Sequence, residues 1–102
     1  MTEHNKLVRD LIPDIIQNSG RTAHISTLSE NDYLAALEQK LLEETREYLQ
    51  APCTEEIADI LEVIEAICAA RHYDMQQVLS VKTQKTAQRG GFEKRIFLES
   101  VE

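Results

Sequence analysis

Residues 40–65 read KLLEETREYLQAPCTEEIADILEVIE, two helical runs that meet at Ala51-Pro52-Cys53-Thr54. Pro52 pushes the residue before it out of helical geometry. Thr54 then serves as an N-cap, with Glu55 and Glu56 in a first turn that favours acids. Each run carries two acids three residues apart, Glu44 with Glu47 and Glu56 with Asp59. Residues at that spacing share one face of a helix. A turn this short makes the two helices antiparallel neighbours, which places all four acids at the turn end of one hairpin. Four converging carboxylates repel one another unless a cation lies among them.

On a wheel of ~100° per residue, the apolar stripe of the first run is Leu34, Leu37, Leu41 and Tyr48. Glu44 falls inside that stripe, where a leucine is expected. Glu47 and Lys40 lie at its edge, and Glu43 falls on the far side as a surface residue. A buried carboxylate without a partner costs several kcal/mol or stays protonated, and a local rule broken in this way marks a site. In the second run Ile57, Ile60, Leu61, Ile64, Ile67 and Cys68 form the stripe, with Glu56 and Asp59 on its flank.

Outward from the hairpin, the pattern predicts an all-α chain of about four helices, over 13–19, 31–50, 55–71 and 75–89. Pro13 and Asp14 start the first, with Ile12, Ile15 and Ile16 as its packing residues and Ser19-Gly20 as its stop. Ser29 to Asp32 resembles a capping box for the second. Asp74 caps the fourth, and Gly90-Gly91 ends it. Lys82, Lys85 and Arg89 share one face of that helix. Residues 21–29 and 92–99 are read as short strands.

The 102 residues carry 11 Lys and Arg against 18 Asp and Glu, a net charge of −7. This excludes a general nucleic-acid binder, which needs a basic stripe. The size fits one domain spanning 1–102. Such a chain buries roughly 60–65% of its unfolded surface. With no Trp, two Phe and three Tyr, aliphatic side chains build the core, and completion by homodimerisation, or a higher homo-oligomer, is expected. Cys53 and Cys68 are too few for a zinc motif. There is no apolar leader and no run near the ~20 apolar residues of a membrane span, so a cytoplasmic protein without membrane contact is expected.

Carboxylates from two facing helices bind hard cations or a di-iron centre. The di-iron pattern needs Glu-x-x-His, and the fourth positions here are Glu47 and Asp59. All-oxygen ligation favours Mg²⁺ or Mn²⁺, and Mg²⁺ commonly shares its shell with substrate phosphates. Glu44, Glu47, Glu56 and Asp59 are the candidate metal ligands, and Glu44 and Glu47 the candidate catalytic carboxylates.

Glu44-x-x-Glu47 followed by Glu56-x-x-Asp59 resembles the ExxE…ExxD signature of the all-α nucleoside triphosphate pyrophosphohydrolases. The opening Asn5-Lys6-Leu7-Val8-Arg9-Asp10 with Ile12-Pro13, and the ending Lys85-x-x-x-Arg89-Gly90-Gly91-Phe92, are similar to a small MazG-like, phosphoribosyl-ATP-pyrophosphohydrolase-like subgroup. The resemblance implies a Mg²⁺-dependent enzyme that cuts a nucleotide between its α and β phosphates. It carries metal ligation onto the four acids and phosphate contacts onto Lys85, Arg89, Lys6 and Arg9. Two departures stand out: the short Glu47–Glu56 spacing, and Leu11 where the subgroup has lysine. The competing expectation is a non-catalytic helical dimer, or a partner-binding subunit, that keeps the acids as a metal-binding or solvated face.

Overall fold

The computed structural model describes residues 5–102. Among them are four α-helices and no strand: α1 (Ile12–Asn18), α2 (Glu30–Gln50), α3 (Thr54–Ala70) and α4 (Met75–Arg89). The chain is all-α, and each helix begins and ends within a residue of its expected bounds. The chain through His72 forms one compact unit, and Tyr73–Glu102 forms a second.

The helix ends follow local chemistry. The Ser29 hydroxyl accepts from the Asp32 N–H at 3.3 Å, and the Asp74 carboxylate accepts from the Gln76 N–H at 2.9 Å. Each satisfies a donor that has no partner within its own helix. Pro13 lies in the first turn of α1, where its missing N–H costs little. Gly90 stops α4 at φ +82°, a backbone region that favours glycine. The cap of α3 differs from expectation. Cys53, in extended geometry, holds the cap position without a side-chain hydrogen bond, and Thr54 is already the first helical residue. A hydroxyl caps from extended backbone, so Thr54 does not act as one.

Within the first unit, α2 and α3 pack along each other. Glu44 and Glu56 approach each other near the turn, while Arg71 donates to Glu38 farther from it. The two helices are therefore antiparallel. Leu37 of α2, with Val63 and Cys68 of α3, are the buried apolar residues among those described. In α2 the covered face is the expected one.

In α3 the covered face is wider than expected. Cys68 of the expected stripe is buried and Ile60, Ile64 and Ile67 are half-buried, but cover extends past them to buried Val63 and half-buried Glu56 and Asp59. Ile57 and Leu61 of that stripe are left 43% and 55% exposed. The physical reason is that α3 is apolar around most of its circumference, so periodicity does not select one arc. The turn selects the arc that brings Glu56 towards α2. In α1, Ile12 and Ile16 are half-buried but Ile15 is exposed, a further correction to the predicted packing.

Residues 21–29 and 92–99 do not form the expected strands. Extended backbone counts as sheet only when a neighbour completes its hydrogen-bond ladder, and neither segment has one. Phe92, Ile96, Phe97 and Leu98 are all strongly exposed. No helix among the described residues is long and apolar enough to cross a membrane.

The small core gives a direct test. Leu37→Ala should lower unfolding free energy by roughly 2–3 kcal/mol, since that site is 2% exposed. Ile25→Ala, at 70% exposure, should stay within about 0.5 kcal/mol of wild type. Urea titration of the two variants measures both.

Candidate metal centre at the hairpin turn

Glu44 is buried in the seam between α2 and α3, with 6% of its surface exposed. Leu37 and Leu41 set the helical face on which it lies, so the backbone that builds the core also carries the carboxylate inward. Its Oε1 lies 3.3 Å from the Lys40 Nζ, one turn earlier on the same helix. Its Oε2 has no hydrogen-bond partner. Burial pushes the Glu44 pKa up, and the neighbouring Glu47 pushes it the same way, against the opposing pull of Lys40. For Lys40, burial works against the ammonium, but Glu44 and Glu43 outweigh it and its pKa is raised.

Two three-acid groups share Glu44. One joins Glu44 to Glu56 and Asp59 across the hairpin; the other joins it to Glu43 and Glu47 along α2. In each, ligand oxygens from the three residues lie within 4.8 Å of one another. The four predicted ligands thus form two overlapping sets rather than one. Glu56 contributes a second buried oxygen without a partner, its Oε2. The two residues with these orphaned acceptors, one on each helix, both belong to the group that spans the hairpin.

Glu43 corrects the sequence reading. It is half-buried, 3.4 Å from the Lys40 Nζ, and belongs to the second group. The covered arc of α2 extends over the flank carrying Lys40 and Glu47, and Glu43 comes in with them. Lys40 itself was visible as an i,i+4 partner of Glu44, yet only the burial of Glu44 gives that pair weight.

Arg9 lies beside the acid group that spans the hairpin. Its Nη2 donates to Asp59 Oδ1 at 2.8 Å, and its Nη1 donates to Glu62 Oε1 at 3.1 Å. The hydrogen bond to Asp59, aided by both carboxylate charges, raises the Arg9 pKa further despite some desolvation. Lys6 is exposed. Within the second unit, Lys82, Lys85 and Arg89 line an open hollow on α4 together with Phe92, whose ring is almost fully exposed.

No protein-family model matches the chain, and no solved structure matches it. A protein of Mycolicibacterium smegmatis, described only as uncharacterized, is 53% identical over 53 residues. The match covers 52% of this chain and 53% of that relative, so it spans about half the length of each.

The raised Glu44 pKa carries a sign. The folded state holds the Glu44 proton more tightly than the unfolded chain, whose carboxylate titrates near 4.5. Stability must therefore fall as pH rises from about 4.5 through the higher folded value. Glu44→Gln removes that dependence. Without divalent ions, the variant's stability advantage over wild type should grow across that window and level off above it, as measured by urea unfolding at stepped pH.

Proposed function

We propose that the chain is a Mg²⁺-dependent nucleoside triphosphate pyrophosphohydrolase, with Mn²⁺ able to substitute. One observation carries this reading. Glu44 Oε2 and Glu56 Oε2 are buried and unpartnered, and the two residues belong to one three-acid group. Leaving two anionic oxygens so placed is costly unless a cation joins them. An all-oxygen donor set of this kind fits a hard divalent ion. The motif blocks at 5–13, 44–59 and 85–92 supply the substrate class by resemblance.

Glu44, Glu56 and Asp59 would hold the ion, with Glu47 adjoining. When bound, Mg²⁺ neutralises charge on phosphate oxygens and lowers the pKa of a coordinated water. Glu47, half-buried one turn after Glu44 and grouped with it, would orient and deprotonate the attacking water. One water is consumed, the α–β anhydride bond breaks, and a nucleoside monophosphate and pyrophosphate leave. The resemblance assigns phosphate contacts to Lys85 and Arg89, which with Lys82 line one hollow within the second unit. Lys6 and Arg9 are further phosphate candidates. The protein acts in the cytoplasm.

The same reading includes a homodimer. Ile57 and Leu61 are uncovered on α3, and Leu42 and Leu49 on the outer face of α2. The occupant proposed for the Ile57–Leu61 stripe is a second copy of the chain. Leu61→Glu should then shift the protein to monomer in sedimentation velocity without unfolding it.

A panel of ribo- and deoxyribonucleoside triphosphates with Mg²⁺, monitored for pyrophosphate, tests the activity. Glu44→Gln and Glu56→Gln should each reduce kcat/KM by about 100-fold or more while remaining folded. If no triphosphate is turned over and neither Mg²⁺ nor Mn²⁺ raises the melting temperature, the non-catalytic dimer or partner-binding subunit replaces this reading.

A further inference from the structure

We propose that Arg9 is an exchangeable latch on the metal centre: its guanidinium holds Asp59 against Glu62 in the metal-free protein and competes with a divalent cation for the Asp59 carboxylate. This rests on the metal reading above, which stands on more than a cluster of acids, because Glu44 is over nine-tenths buried and its Oε2 has no partner.

Among the described residues, Lys40 and Arg9 pair with these acids, and they differ in what it takes to remove them. The Lys40 side chain is 18% exposed and pairs with Glu43 and Glu44 along its own helix. Withdrawing it leaves a buried charge unpaired, which is expensive. The Arg9 side chain is 55% exposed, and its partners Asp59 and Glu62 are 37% and 55% exposed. It can leave Asp59 and be solvated at once, so its hold is weak in energy although well defined in geometry. Asp59 and Glu62 lie three apart on α3, a spacing that puts both carboxylates within the fork of one guanidinium.

Glu62 gives the latch its return path. It belongs to neither three-acid group, so it keeps its claim on Nη1 when Asp59 turns to a metal ion. Arg9 then stays tethered beside the site. The contact also spans 50 residues of sequence, tying the segment before α1 to α3. Because α1 has no buried residue, occupancy of Asp59 should be felt by that segment.

Mn²⁺ binding by calorimetry to wild type, Arg9→Gln and Arg71→Gln tests the latch. Arg71 is the charge control, since it pairs with Glu38, which lies outside both acid groups. Arg9→Gln should tighten the Mn²⁺ Kd by about three- to tenfold, and Arg71→Gln by less than about twofold. In wild type titrated with Mg²⁺, the Arg9 Nε–Hε NMR signal should move and saturate with metal binding while that of Arg71 stays. If wild type binds metal and Arg9→Gln binds it no more tightly, the latch is overturned and the metal centre stands. If neither protein binds metal, the metal reading fails and takes the latch with it. Should Arg9→Gln not fold, an Arg9 signal unmoved at metal saturation overturns the latch.

Discussion

A carboxylate in the seam of a helical hairpin is the constraint on which the first unit turns. At the Glu44 position a leucine would bury cleanly and add to a core that otherwise holds Leu37, Val63 and Cys68. Glutamate instead loses its hydration, keeps one oxygen near Lys40 and leaves the other without a partner. A group placed so badly for stability is favoured only if something else uses it. The neighbouring features are consistent with that: α3 is turned so that Glu56 and Asp59 face α2, and a second orphaned oxygen comes with them.

That placement of the α3 acids has its own cost. The covered arc includes two acids, while Ile57 and Leu61 stay 43% and 55% exposed. Apolar burial is worth about 25 cal/mol per Å², so the hairpin gives up part of the stability its composition offers. Acids take part of the interior seam, and two aliphatics of the same helix stay outside it. A helix that is apolar almost all round allows it, because either arc can pack.

Helix existence and bounds were legible because their determinants are local. Pro13, Ser29, Pro52, Asp74 and Gly90 each act within one turn of themselves. Glu44 was legible too, since the period of α2 is unambiguous and one acid interrupts it. The facing arc of α3 was not, because eleven apolar side chains among its seventeen residues leave the period undecided. The strands expected at 21–29 and 92–99 failed for a related reason: alternation describes a face, and a face needs a partner. The contact of Arg9 with α3 was not legible, because its partners lie some fifty residues away, beyond anything spacing can report. Glu43 was misjudged by a wheel that treats a side chain as a point at one angle, when its length lets it lean into the Lys40 flank.

Lys40 separates two events that are often fused. Where a metal supplies the sole cation for a ligand set, the apo chain unfolds and binding is folding. Here the lysine one turn before Glu44 is a resident cation, covalently part of the same helix and close to its carboxylate as soon as that helix forms. The hairpin can assemble on its own charge balance, and its architecture need not follow the supply of divalent ions around it.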